Sequence, residues 1–163
     1  MTITRRDFNK AGLGTLSLAA LGGHAWAGPE NMIRRPIPSS GEKLPIVGLG
    51  TNRYGVGDDA EKRAVLRAAL SRFHELGGTV IDTAPMYRSS EAVLGDLIAD
   101  LGIRDDLFIA TKVDKEGGGA ATHAQIQESM RRLQTDTFEL LQVHNLIAWQ
   151  DALPVLREWQ QDG

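Results

Sequence analysis

The sequence has no cysteine. That excludes a thiol nucleophile, an iron–sulfur cluster, a disulfide framework and a cysteine-ligated zinc site. Aromatic residues are scarce, at 6%. Positive charge is not in excess: 18 Lys and Arg stand against 21 Asp and Glu, for a net charge of −3 and a pI near 5.8. No nucleic-acid partner is expected, because such a partner needs a basic face to neutralise its phosphates. No apolar run reaches the ~20 residues that cross a bilayer as a helix, so no stable membrane span is expected. No cluster of His, Asp and Glu has metal-ligand spacing. What is present is ordinary for a globular protein: 163 residues, 42% apolar and 24% charged, with 18 Gly and 6 Pro. The length suits one domain.

Residues 1–27 read as an export signal. Thr4-Arg5-Arg6-Asp7-Phe8-Asn9-Lys10 is a basic leader, Ala11 to Gly23 is a mild apolar run, and Ala25-Trp26-Ala27 is a small-residue cleavage site. Arg5-Arg6 followed by Phe8 and Lys10 resembles the twin-arginine signal, which an export receptor reads. The expectation is a chain handled by twin-arginine export machinery, cut after Ala27 and placed in the periplasm.

Residues 28–45 are rich in Pro, Ser and Gly and read as a hairpin or irregular lead-in. Beyond them, strand and helix patterns alternate four times. Expected strands lie at 45–50, 79–82, 107–111 and 138–143. Expected helices lie at 59–76, 90–101, 122–133 and 148–161. The first helix repeats Ala60, Ala64, Val65, Ala68, Ala69, Phe73 and Leu76 at helical spacing. Asp58 with Glu61 and Thr122 with Gln125 read as capping boxes. Gly77-Gly78 and Gly102 read as helix stops, with Gly163 as the last cap. Near-continuous apolar strands belong to a parallel sheet covered by helices. That leaves an open doubly wound sheet or a (βα)8 TIM barrel. A barrel takes eight units in about 250 residues, so four units amount to a half-barrel.

The chemistry lies at the strand ends. The second strand ends in Asp82, with Tyr87 five residues on. The third ends in Lys112 and the fourth in His144. The first ends in Gly48-Leu49-Gly50-Thr51-Asn52. In parallel βα architectures these ends form one rim, where ligands and reactive groups gather. An ammonium beside a phenol favours the phenolate, a carboxylate holds the ammonium, and an imidazole can hydrogen-bond a substrate oxygen. Such a set can protonate the alkoxide formed when hydride reaches a carbonyl. The hydride itself has to come from a cofactor.

These residues resemble a known family. Asp82-Thr83-Ala84-Pro85-Met86-Tyr87, continuing through Ser89-Ser90-Glu91 to Leu94-Gly95, is similar to the signature segment of aldo-keto reductases. Ala110-Thr111-Lys112 resembles the segment carrying that family's lysine, and Leu140-Leu141-Gln142-Val143-His144-Asn145 the segment carrying its histidine. Gly48-Leu49-Gly50-Thr51 resembles its first strand end. The resemblance covers residues 46–163. It implies an NADP(H)-dependent oxidoreductase on an eight-stranded barrel that reduces an aldehyde or ketone, a small-molecule carbonyl, to an alcohol. By matching motif, Tyr87 is the proton donor, Lys112 and Asp82 tune and orient it, and His144 positions and polarises the carbonyl. Gly50, Thr51, Asn52 and Asp82 would lie near the nicotinamide and its ribose. The family continues into four more units that supply most of the cofactor site, so a truncated gene or incomplete sequence is expected. The alternative on the same fold is a non-catalytic binding or regulatory subunit. Retention of all four catalytic residue types favours the reductase.

Other residues receive plainer readings. Thr83, Ser89 and Glu91 are expected to shape the turn and helix start, and Arg88 to be a surface residue. His74 and His123 are expected to be exposed, Gly117-Gly118-Gly119 to be a flexible rim loop, and Trp149 and Trp159 to be packing residues. Gly48-x-Gly50 lacks the third glycine and following helix of a dinucleotide fingerprint.

Overall fold

The computed structural model describes residues 32–162. The signal expected over 1–27, the start of the lead-in and the cap expected at Gly163 lie outside the described residues. The lead-in forms the hairpin. Strand β1 (Arg34–Pro36) pairs antiparallel with β2 (Lys43–Pro45).

The chain then runs β3 (Leu49–Gly50), α1 (Ala60–Glu75), β4 (Val80–Asp82), α2 (Ser90–Leu101), β5 (Phe108–Val113), α3 (Gly118–Leu133), β6 (Leu140–Val143) and α4 (Trp149–Asp162). Strands β3 to β6 form one parallel sheet in sequence order. Each helix packs against the next one along the chain. A doubly wound sheet reverses its strand order at a switch point and places helices on both faces. Sequential strands under a single layer of sequential helices make a barrel wall instead, so the fold is the first four βα units of an α/β barrel.

Several element boundaries differ from expectation. β3 has two residues rather than six, because Pro45 is committed to the hairpin opposite Arg34 and offers no N–H to a further partner. Ile46 and Val47, between the two pairings, are exposed. β5 runs on to Val113, which puts Lys112 inside the strand. The cap of α1 is Asp59 rather than Asp58, and its carboxylate accepts from the Lys62 N–H at 3.1 Å. Helix α3 starts at Gly118, four residues before the expected Thr122. Gly117 (φ 118°) and Gly118 (φ 79°) take up the left-handed backbone that turns the chain into the helix. The glycine run is therefore a helix entry rather than a loose loop. Thr122 is buried within the first turns, and its hydroxyl donates to the Gly118 carbonyl.

The core lies between sheet and helices, around Leu70, Ile81, Leu94, Ile98, Ile109 and Leu133. A second cluster of Val113, Ile126, Ala152 and Val155 seals α3 and α4 against the sheet. Helices α2 and α3 touch at Gly95, where a Cβ would stand 2.1 Å from the Arg132 carbonyl oxygen. Glu91 shapes more than a helix start. It is buried beneath that crossing and accepts from the hydroxyls of Thr111 (2.8 Å) and Ser129 (3.2 Å), with Arg132 at 3.6 Å. Burial pushes its carboxyl above the usual range, against the pull of those hydrogen bonds.

The two histidines expected to be exposed are half-buried and partnered. His74 bonds Asp106 at 2.9 Å. His123 accepts from the Trp159 indole N–H at 2.9 Å and faces Glu158 at 3.3 Å. Both join a helix to a neighbouring element, a relationship that single positions in a sequence do not display. Trp159 packs against the second cluster, whereas Trp149 is 45% exposed.

Candidate active site

Alternation along a strand sends neighbouring side chains to opposite faces. Ile81, Ile109 and Thr111 face the helices and are buried. The register pairs Asp82 with Ala110 and Lys112 with Gln142, which brings Asp82, Lys112 and Gln142 to the other face. There Lys112 Nζ donates to both carboxylate oxygens of Asp82, at 2.6 and 2.7 Å, and to the Thr83 carbonyl at 2.8 Å. Gln142 Nε2 donates to Asp82 Oδ2 at 3.4 Å. Lys112 is 13% exposed and Asp82 is 43% exposed, so the pair opens to solvent on the carboxylate side.

Tyr87 sits in the loop between β4 and α2. The Tyr87 N–H donates to the Ala84 carbonyl, and the Ser90 N–H donates to the Tyr87 carbonyl, each at 3.0 Å. The loop also lies flat on Gly55, where a Cβ would come within 2.6 Å of the Tyr87 carbonyl oxygen. Arg88 is exposed and takes a positive φ of 56°, which turns the chain from Tyr87 into α2. Lys112 Nζ stands 5.4 Å from the centre of the Tyr87 ring, within cation–π range. The His144 ring meets Tyr87 edge to face, with centroids 5.8 Å apart and planes at 88°. The structure thus brings Asp82, Tyr87, Lys112 and His144 to one place on the rim.

The remaining expected positions divide. Gly50 lies beside Asp82 in the register and is exposed, as is Asn52. Thr51 is fully buried. Its hydroxyl donates to the Asp82 carbonyl at 2.9 Å and accepts from Ser90 at 3.1 Å. The Thr51 side chain is thus bound within the protein and ties β3 to β4 and α2.

Sequence reasoning missed two residues at the site. Asp114 follows Lys112 by two and so leaves the strand on the same face. Its Oδ2 stands 3.5 Å from His144 Nδ1. Gln125, expected to cap a helix with Thr122, instead holds Asp114. Its Oε1 accepts from the N–H groups of Asp114 (2.9 Å) and Lys115 (3.1 Å), and its Nε2 donates to Asp114 Oδ1 at 2.6 Å. The strand period could have flagged Asp114; nothing local could have flagged Gln125.

Parallel strand–helix units with ionisable groups gathered at the carboxyl rim define a protein of the α/β-barrel class. The aldo/keto reductase family profile matches residues 46–163, and the chain belongs to that family. It is 40% identical over 118 residues to methylglyoxal reductase YeaE of Escherichia coli, a match covering 69% of this chain and 40% of that protein. It is 34% identical over 138 residues to aldo-keto reductase YhdN of Bacillus subtilis, covering 75% of this chain and 39% of that one. The chain thus spans about 40% of the length of these curated relatives. An aldo-keto reductase of Klebsiella pneumoniae, solved with NADPH, superposes with a TM-score of 0.67 at 33% identity, over 81% of this chain and 47% of that chain. The thermostable aldo-keto reductase Tm1743 gives a TM-score of 0.69 at 28% identity, over 81% of this chain and 51% of that chain.

Proposed function

We propose that this chain carries the acid–base half of an NADP(H)-dependent carbonyl reductase. The observation that carries the reading is the convergence of Tyr87, Lys112, Asp82 and His144 from three successive strands onto one rim. The residues fit the nicotinamide–ribose end of the cofactor. Asp82 keeps an open carboxylate face, and Gly50 beside it has no atom within 4 Å of a would-be Cβ, leaving backbone accessible. Asn52 is exposed on the same rim. The solved Klebsiella relative with NADPH supports the same cofactor.

When bound, NADPH supplies the hydride. The chain's own residues supply the proton and its control. Tyr87 holds the proton on its phenol oxygen and gives it to the carbonyl oxygen as that oxygen takes on charge, which leaves an alcohol. Lys112 keeps positive charge against the phenol ring, and Asp82 keeps Lys112 in place. His144 orients the substrate oxygen towards Tyr87. The substrate class is a small aldehyde or ketone.

The test is NADPH consumption by a barrel in which this chain is completed with four further βα units of the family, over a panel of small aldehydes and ketones, with Tyr87→Phe in parallel. Turnover lost in the variant supports the reading. An equal rate in both proteins removes Tyr87 from the mechanism.

Export belongs to the same proposal. Arg5-Arg6, the apolar run and Ala25-Trp26-Ala27 support delivery to the periplasm through the twin-arginine machinery. Replacing Arg5 and Arg6 with lysines should leave the protein in the cytoplasmic fraction. An unchanged periplasmic yield would reject that route.

A further inference from the structure

Two buried side-chain atoms among the described residues have no hydrogen-bond partner: Asp114 Oδ2 and His144 Nδ1. They face each other at 3.5 Å, and each side chain is 11% exposed. A buried carboxylate oxygen and a buried imidazole nitrogen satisfy one another only if the nitrogen carries a proton. We propose that Asp114, clamped by Gln125, is a positioning residue that holds the His144 proton on Nδ1 and aims Nε2 at the substrate side. The proposal deepens the reductase reading and rests on it for the role of His144.

The clamp has a fixed direction. Two backbone N–H groups point at Gln125 Oε1, so Gln125 Nε2 is the end that donates to Asp114 Oδ1. Asp114 Oδ1 is thereby occupied, and Oδ2 is left for His144. A neutral His144 with its proton on Nδ1 presents a bare lone pair at Nε2. Donation from Nε2 to a carbonyl oxygen then requires a second proton, and the resulting imidazolium lies against the Asp114 carboxylate. Asp114 thus sets which form of His144 can polarise a carbonyl.

The same clamp makes a substitution decisive. In Asp114→Asn, Gln125 Nε2 still demands an acceptor, so the new amide places its oxygen there. Its NH2 then faces His144 Nδ1, which has to become the acceptor, and the proton moves to Nε2. His123 serves as an internal reference. Its Nδ1 already accepts from Trp159, so its neutral form carries the proton on Nε2.

The experiment is nitrogen NMR of the full chain with 15N-histidine, at a pH where the rings are neutral, with His144 assigned by its loss in His144→Gln. The expected result is opposite tautomers in one protein, Nδ1–H for His144 and Nε2–H for His123. In Asp114→Asn the His144 pattern should switch to that of His123. An Nε2–H pattern for His144 in the unsubstituted chain overturns the proposal, whether or not the variant folds. So does an unchanged His144 pattern in a folded Asp114→Asn. Because the reading is a tautomer and not a rate, a completed barrel that shows the expected tautomer but reduces no carbonyl rejects the reductase reading alone.

Discussion

The three protons of the Lys112 ammonium meet three oxygens, two on the Asp82 carboxylate and one on the Thr83 carbonyl, all between 2.6 and 2.8 Å. Lysine usually keeps part of its ammonium in water. Here both partners come from the end of β4, and the amine crosses from the neighbouring strand β5 to reach them. The charge beside the Tyr87 ring is therefore held by the sheet itself rather than by a mobile side chain.

Breaking this pair should separate activity from folding. Asp82 is 43% exposed, so the ion pair is screened on one side and its loss should cost about 1–2 kcal/mol. Lys112→Met should lower the urea midpoint of the chain modestly while reducing the proposed carbonyl-reduction kcat of the completed barrel by about 10²-fold or more. A large fall in stability with normal kcat would make Lys112 a structural residue.

Tyr87→Phe keeps the ring that meets His144 and Lys112 and removes only the hydroxyl. Circular dichroism of the chain should be unchanged, and kcat of the completed barrel should fall by about 10²- to 10⁴-fold, the range for loss of a general acid. Binding of NADPH to the completed barrel, followed by Trp fluorescence, should not change.

The contact at Gly95 is purely steric. A Cβ there would meet the Arg132 carbonyl oxygen at 2.1 Å and the Leu133 backbone at 3.0 Å, neither of which can swing aside. Gly95→Ala should therefore destabilise the chain by about 1–3 kcal/mol through overpacking, although alanine is the better helix former. A thermal melt that rises or stays level would show that α2 and α3 can part at no cost.

Glu91 gives a pH dependence of stability with a definite sign. Burial holds its carboxyl above the ordinary 4.5, so the folded chain binds that proton more tightly than the unfolded chain does. The Glu91 contribution is thus fully present below pH 4.5 and is lost as pH rises through the raised value. Glu128 works in a separate window. Its bonds to Arg131 and Arg132 hold it at about 2, so its support is lost as pH falls from 4.5 towards that value. Urea titrations in steps upward from pH 4.5 should show a downward slope that Glu91→Gln flattens. A slope that is the same in both proteins would assign it elsewhere.

Much of this protein is local information. Helical spacing from Ala60 to Leu76, the apolar runs at Ile81 and Ile109 and the glycine stops at 77 and 102 each depend on near neighbours in the chain, so the βα alternation is legible without a structure. Asp82, Lys112 and His144 are legible for the same reason, because each stands at or near the carboxyl end of an apolar run. What only the tertiary structure decided depends on pairing between distant segments. The sequential strand order that makes a barrel wall is one such case. Others are the Glu91 bonds to Thr111 and Ser129, which reach across 20 and 38 residues. Asp114 is the sharpest instance. Alone it is a polar residue past a strand end, and it becomes the partner of His144 only when β5 and β6 lie side by side and Gln125 turns in from α3. A side chain's chemistry is set by the groups within a few ångströms of it, and in a parallel sheet those groups arrive from the next strand over, a whole helix away in the chain.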